Sequence, residues 1–212
     1  MSRIPADRDR LAALAKAYDG DAARRDKGRL EWRRELIDEW SRRLVPGARI
    51  LELGAGTGQA SAHLAGAGFE MLALDLSPGN VAKCRRRGLA AAVGDMGRIG
   101  EVDDPGFNPP YGAAFAINAL IHFPKAQLDG ALSSIHGVLL PNAPLLFTLW
   151  GGESSEGIWD TDWCDPPRFF SFYDDAEARR LEFSTFDLVR FRALENSDTA
   201  GRHSLVFELR AR

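Results

Sequence analysis

Apolar residues recur at a helical period from about Asp7 to Leu44, and after residue 48 the pattern changes to short apolar runs separated by amphipathic stretches. The runs Arg49–Leu53, Glu70–Leu76, Leu89–Val93, Tyr111–Leu120 and Ala143–Trp150 predict strands. Between them, Gln59–Ala67, a segment from Ser77 to about Arg87, and Lys125–Leu139 predict helices; Ser77-Pro78 supplies a capping hydroxyl followed by proline at the first helical position. Strands that alternate with helices in this way imply a parallel sheet. From Gly151 to Tyr173 the pattern breaks into glycine, proline, acids and aromatics, too long for an ordinary connector, which predicts a lid or binding loop. A short helix from about Asp174 to Leu181 then precedes two strand-like runs, Phe186–Leu194 and His203–Arg210, whose tight polar connection, Asn196–Gly201, requires them to be antiparallel. The expected organisation is one domain: a helical cap over 1–44, a core over 45–150, a lid over 151–173 and a closing helix and strand pair over 174–212.

The chemistry concentrates where the first strand meets the first core helix. Glu52-Leu53-Gly54-Ala55-Gly56-Thr57-Gly58 occupies that turn, the place where open α/β sheets bind ligands. Counted as a dinucleotide-binding G-x-G-x-x-G loop from Gly54 and Gly56, it fails, because Gln59 stands where the third glycine belongs. The spacing instead resembles the E/D-x-G-x-G-x-G motif of class I S-adenosylmethionine (SAM)-dependent methyltransferases, with Glu52, Gly54, Gly56 and Gly58 in every required place.

That resemblance implies a Rossmann-like α/β fold: a seven-stranded, mostly parallel sheet with an antiparallel C-terminal strand and helices on both faces. It implies SAM as methyl donor and S-adenosylhomocysteine as product. In the family an acid ending the second strand holds the ribose hydroxyls, and Asp75 of Ala73-Leu74-Asp75-Leu76 stands there; a carboxylate offers two acceptor oxygens to a vicinal diol. Another acid after the third strand accepts from the adenine amino group, matched by Asp95 of Gly94-Asp95-Met96, with Met96 against the ring. Leu53, Leu76 and Asn118 complete the expected cofactor set from the strand ends. Trp32-Arg33 resembles an element of quinone-methylating relatives in which arginine meets the cofactor's carboxylate, although a solvent-facing arginine on an amphipathic helix reads equally well. Tyr18 resembles an aromatic that closes over the cofactor. The resemblance runs from Leu30 to about Leu149; one departure is Pro141-Asn142-Ala143, where relatives usually carry Pro-Gly-Gly.

The expected reaction is methyl transfer by in-line displacement to an O or N atom of a small molecule. Positioning contributes most of such a rate, and a general base about 10²–10⁴-fold. His122, just past the fourth strand, is the candidate base; its bland alternative is a helix-entry residue bonded to backbone. His63, His136 and His203 read as structural or exposed. The competing readings are a nicotinamide-dependent oxidoreductase, disfavoured by Gln59, and a SAM-binding protein without transferase activity.

Charge narrows the acceptor. Lys plus Arg total 27 against 30 for Asp plus Glu, a formal net charge of -3, which argues against nucleic acid. The densest basic run, Arg85-Arg86-Arg87, falls where a helix ends and reads as capping. Asn108-Pro109-Pro110-Tyr111 spells a motif of some amino-group methyltransferases, but it precedes the fourth strand instead of following it. The 151–173 segment holds Trp159, Trp163, Phe169, Phe170, Phe172 and Tyr173 among five acids, with Arg168 the only base; this suits a planar or cationic acceptor, or else the aromatics pack the segment onto the sheet. Cys84 and Cys164 lie in no metal-binding spacing and read as free thiols, the N-terminal ten residues lack an apolar signal core, and no run is long enough for a membrane span. A cytoplasmic protein with no metal follows as the expectation.

Overall fold

The computed structural model describes residues 6–25, 31–195 and 201–212. The polar turn expected over 196–201 falls almost wholly outside them. The helical lead-in resolves into two helices, α1 (Asp7–Arg25) and α2 (Glu31–Ser41). The core then runs β1 (Arg49–Leu53), α3 (Gln59–Gly66), β2 (Glu70–Asp75), α4 (Pro78–Arg86), β3 (Ala90–Val93), β4 (Ala113–Ala116), α5 (Leu128–His136) and β5 (Pro144–Gly151). After it come β6 (Ser155–Ile158), β7 (Phe169–Tyr173), α6 (Asp175–Arg179), β8 (Phe186–Leu194) and β9 (His203–Ala211).

Strands β3-β2-β1-β4-β5 lie side by side and parallel; β9 runs antiparallel along the whole of β5, and β8 pairs antiparallel with β9. Chain order reverses direction between β1 and β4, and such a switch point opens a crevice beyond the carboxyl ends of the strands. Alternate side chains go to opposite faces, as strand geometry requires. Ile50, Phe115, Leu146 and Val206 meet Leu36, Ile37 and Trp40 of α2 on one face. Leu51, Leu53, Ala114, Phe147 and Phe207 meet Leu132 and Ile135 of α5 on the other.

Two boundaries differ from the sequence expectation. The fourth strand ends at Ala116, because Asn118 adopts a left-handed backbone (φ 53°) and Leu120–His122 forms a 3-10 turn. The sheet has nine strands and not seven, since the 151–173 segment contributes a hairpin, β6–β7. β7 joins the terminal residues of β5, with Trp150 opposite Phe172 and Gly151 opposite Tyr173, whereas β4 pairs only Leu145–Phe147. The hairpin therefore continues the sheet past the end of β4 and overhangs the crevice. In the turn before β5 Asn142 takes φ 63°, a left-handed conformation that asparagine tolerates. Asn108-Pro109-Pro110-Tyr111 lies at the opposite end of the sheet, with Tyr111 buried and Gly112 N–H bonded to the carbonyl of Arg49 at the start of β1.

Candidate functional site

The loop after β1 is held in shape from three sides. Gly54 takes φ 69°, and a Cβ there would sit 2.5 Å from the Ala119 Cβ, so the position excludes any side chain. Gly56 takes φ 55°, yet a Cβ there would meet nothing within 4 Å; at this point the backbone faces open space at the carboxyl end of the sheet. Gly58 (φ 78°) is the N-cap of α3 and has no side chain with which to cap it. Glu52 does that work from β1: its Oε2 accepts from Ser61 N–H at 3.0 Å and from the Ser61 hydroxyl. The motif's acid thus has a structural task at the start of the helix. Behind the loop, Arg87 Nε donates to the Thr57 carbonyl at 2.9 Å and the Cys84 thiol to the Gly56 carbonyl at 3.4 Å. Burial pushes the Cys84 thiol up to about 12, so it stays a neutral donor at neutral pH.

Asp75 is anchored at the tip. Its Oδ2 accepts from Gly56 N–H at 2.7 Å, and its Oδ1 accepts from Ser77 N–H at 2.8 Å and from the Asn80 amide at 3.2 Å. One strand over, Asp95 follows β3 and caps a 3-10 turn through Gly97 N–H at 2.8 Å. Gly94 N–H bonds the Asp75 carbonyl at 3.0 Å, which places the two acids at neighbouring strand ends. Met96 leans over the glycine loop, its Cε 3.4 Å from the point a Gly54 Cβ would occupy. Across the loop, Asn118 N–H donates to Thr148 Oγ1 at 2.8 Å and its side-chain oxygen accepts from the same hydroxyl at 2.9 Å, fixing the left-handed turn. Leu53 is fully buried in the core, so only its backbone can face a ligand, and Leu76 is half-buried beside Asp75. Arg33 on α2 stacks over Trp32, 5.4 Å from its ring centre, and its charge reaches Glu52.

Glu52 carries a pH signature. Burial, at 6% exposure, is the largest cause lifting its carboxyl to about 7; Asp75 adds to the rise, while the Ser61 bonds and Arg33 oppose it. Its folded pKa lies above its ordinary value, so the folded state carries no penalty below about pH 4.5; the penalty grows as pH rises towards 7 and is complete above it. Glu52→Gln keeps an acceptor for Ser61 and removes the ionisation. Relative to wild type, the variant should gain stability between pH 5 and 8 by up to about 3 kcal/mol, measured by urea denaturation at each pH. Parallel curves for the two proteins would refute the buried, titrating Glu52.

A second cluster closes the crevice from above. The face of α1 that turns inward carries Arg10, Leu14 and Ala17 at helical spacing, with Tyr18 beside them. Arg10 Nη1 donates to the His122 carbonyl at 2.7 Å. Asp19 Oδ1 accepts from Gly79 N–H at 2.9 Å and from the Ser77 hydroxyl, tying α1 to the segment after β2. The Tyr18 hydroxyl meets His122 Nε2 at 2.5 Å, in the segment after β4. Since β1 lies between β2 and β4, these ties stretch α1 across the glycine loop. The same hydroxyl accepts from Arg168 Nη1 at 3.2 Å, and Arg168 forms a two-pronged pair with Asp162, Nε to Oδ2 and Nη2 to Oδ1, both at 2.8 Å. The side chains of this pair are 1% and 0% exposed. Burial works against both charges, but the paired bonds outweigh it: Arg168 is held above its ordinary value and Asp162 below its own.

The hairpin's aromatics form one stacked body. Trp150, Phe170 and Phe172 lie nearly parallel, and Trp159 stands edge-on to all three. Phe169, Phe170 and Phe172 are buried, so they pack the segment onto the sheet. Trp163 is 51% exposed and lies against Arg168, 4.9 Å from its guanidinium carbon. Two of the segment's acids have internal tasks: Asp162 holds Arg168, and Glu156 accepts from Lys125 N–H at 2.8 Å and the Ser171 hydroxyl at 3.3 Å. That weakens the expectation of a cationic acceptor and leaves the planar one. Sequence spacing did not reveal Asp162, Arg168, Asp19, Arg10 or Thr148 as parts of the site; the lone base among the acids of the 151–173 segment was the one available signal. Among the described residues no group of three or more His, Cys, Asp or Glu side chains could hold a metal ion, and no helix is long and apolar enough to cross a membrane.

A parallel sheet with its switch point between β1 and β4, an acid-and-glycine loop after β1 and an antiparallel β9 is the Rossmann-like fold of class I methyltransferases. Comparison with known proteins agrees. Residues 50–142 match the model of a methyltransferase domain family. The demethylmenaquinone methyltransferase of Beutenbergia cavernae is 41% identical over 90 residues, covering 41% of this chain and 36% of that protein. That of Renibacterium salmoninarum is 38% identical over 105 residues, covering 45% and 43%. The matched stretch thus spans well under half the length of either curated relative. Among solved structures, the Burkholderia thailandensis 1,6-didemethyltoxoflavin-N1-methyltransferase, with 1,6-didemethyltoxoflavin and S-adenosylhomocysteine bound, superposes with a TM-score of 0.74 at 19% identity, over 100% of this chain and 92% of that one. Residues 50–142 thus carry a methyltransferase domain, set in a chain with the Rossmann-like fold of class I methyltransferases.

Proposed function

We propose that the protein binds SAM at the loop after β1 and transfers its methyl group to an O or N atom of a small planar molecule seated under the β6–β7 hairpin. The observation that carries the reading is the contrast within the loop: the position of Gly54 is filled by Ala119, whereas Gly56 faces open space with the Asp75 carboxylate fixed beside its N–H. A backbone bared at that point fits a cofactor pressed against it. Asp75 would take the ribose hydroxyls, Asp95 the adenine amino group with Met96 on the ring, and the backbone of residues 53–56 the methionine portion, with Glu52 and Arg33 near its charged end. Tyr18 and α1 would cover the cofactor, Asn118 would shape the crevice floor, and His122 would serve proton removal. Bound SAM supplies an activated methyl carbon; the protein's task is to align the acceptor and keep water out.

The planar-acceptor reading has two supports. Trp163 is the exposed aromatic of a hairpin whose other rings are packed inward, and the acceptors named for the relatives above, demethylmenaquinone and 1,6-didemethyltoxoflavin, are flat conjugated ring compounds. Labelled methyl transfer from SAM into a panel of 1,4-naphthohydroquinones, hydroxy- and amino-substituted heteroaromatics and aliphatic amines is the direct test. Flat acceptors should be labelled and aliphatic amines not. Thermal shift with SAM, S-adenosylhomocysteine and NADH checks the cofactor: the first two should stabilise by about 5–10 °C at 100 times Kd. Stabilisation by NADH alone would end the methyltransferase reading.

A further inference from the structure

Resting on that reading, we infer that proton removal in this site is shared by two residues: the Tyr18 phenol oxygen meets the acceptor, and His122 takes the proton through it. The hydrogen-bond pattern dictates the order. His122 Nδ1 lies 2.7 Å from the carbonyl oxygen of Phe169, which can only accept, so Nδ1 carries the ring proton. In the neutral ring Nε2 then offers a lone pair, and its 2.5 Å partner, the Tyr18 hydroxyl, is the donor. His122 is 4% exposed and is also overlain by Phe170 at 4.7 Å between ring centres. An acceptor therefore reaches the histidine's basic nitrogen by way of the tyrosine oxygen.

The surroundings of that oxygen suit a transient phenolate. Arg168 Nη1 donates to it at 3.2 Å, with the guanidinium carbon 5.2 Å from the Tyr18 ring centre, and Asp162 holds Arg168 in place. Among the described residues Arg10 of α1 also approaches His122, bonding its backbone carbonyl. Tyr18 hangs over the glycine loop, as shown by the ties of α1 to the segments after β2 and β4. In the transfer step the acceptor's electron pair forms the bond to the methyl carbon, and the carbon–sulfur pair leaves with sulfur. The acceptor's proton passes to Tyr18 Oη, the tyrosine's own proton crosses to His122 Nε2, and the resulting imidazolium keeps its Nδ1–H on the Phe169 carbonyl. Once product leaves, the proton gained at Nε2 returns by way of the Tyr18 oxygen to solvent, and the ring is again protonated at Nδ1 alone. Arg168 and Asp162 act through Tyr18 and are positioning residues.

Two measurements test this. Nitrogen-15 NMR of the histidine rings in the protein saturated with S-adenosylhomocysteine should show His122 protonated at Nδ1 and bare at Nε2 near pH 7; protonation at Nε2 in the neutral ring would overturn the inference, because the tyrosine would then be the acceptor. Tyr18→Phe keeps the ring and removes the proton path. With 1,4-naphthohydroquinone as acceptor under anaerobic conditions and S-adenosylmethionine saturating, kcat at pH 7 should fall by roughly 10²–10⁴-fold. The loss should shrink as pH approaches about 10, where the acceptor's own phenolic hydroxyl ionises without a base. An equal loss at every pH would show that Tyr18 only latches α1 and would overturn the relay. If the wild-type protein does not methylate the naphthohydroquinone, the acceptor reading fails separately, and the His122 tautomer decides for or against the relay by itself.

Discussion

Asp162→Ala should destabilise the protein by about 3–5 kcal/mol, because it leaves the Arg168 guanidinium buried without its carboxylate. The cost arises from an uncompensated charge more than from the lost attraction, which makes a clear control possible. Asp162→Leu combined with Arg168→Met replaces both charges by apolar groups and should recover most of the loss. Urea denaturation of the two variants measures this; a loss under 1 kcal/mol for Asp162→Ala would mean that water reaches the pair. The effect should also travel. Arg168 bonds Tyr18, and the Phe169 carbonyl next to it bonds His122, so α1 and the segment after β4 should both loosen in the single variant, seen as faster amide exchange there.

Asp75→Ala should abolish nearly all of the stabilisation by SAM. Part of its effect precedes any ligand: Gly56 N–H, Ser77 N–H and the Asn80 amide lose their common acceptor, at about 1–3 kcal/mol for each buried donor left unmade. The informative quantity is therefore the shift on adding SAM relative to the variant's own unliganded Tm. In wild type that shift should be about 5–10 °C at 100 times Kd, and in Asp75→Ala close to zero. Asp75→Asn should fail as well, since an amide nitrogen would face a donor at one of its two anchoring points. Retention of the full shift in either variant would remove Asp75 from the ribose position.

The strand and helix order of the core was legible because each element carries its own period or breaker: Ser77-Pro78 opens α4 as expected, the Ser77 hydroxyl accepting from Asn80 N–H at 3.0 Å. The glycine loop and Asp75 were legible for a related reason, since their spacing is fixed by one turn and one crossover. The hairpin was not. β6 reads Ser-Glu-Gly-Ile, with no alternation to announce a strand, and all five residues of β7 are buried, so neither face shows a polar stripe. The upper half of the site was hidden by distance along the chain. Tyr18, His122 and Arg168 are drawn together over separations of 104 and 150 residues, and nothing local to Asp162 distinguishes it from the four other acids around it. The sequence singled out His122 as a candidate, and its hydrogen bonds give it a partner, Tyr18, that the sequence had placed only as a cover. The fourth strand was overextended because Ile117–Ile121 is largely apolar, and the left-handed Asn118 that ends the strand leaves no mark on hydropathy.

The hairpin leaves and rejoins the sheet at one place. Gly151 pairs with Tyr173, and Gly152 N–H bonds the Tyr173 carbonyl at 3.0 Å. Everything between these residues is a closed excursion whose two ends are already fixed side by side, so lengthening or shortening its outer bend, residues 159–168, changes closure entropy only by about the logarithm of its length. No other strand need shift its register to accommodate the change. The loop after β1, by contrast, admits no added residue without displacing α3 from Glu52. One enclosure is thus built from a wall of fixed dimensions and a wall of adjustable size, and a library that varies the outer bend while keeping Asp162 paired with Arg168 would remodel the space proposed for the acceptor with the loop after β1 left as it stands.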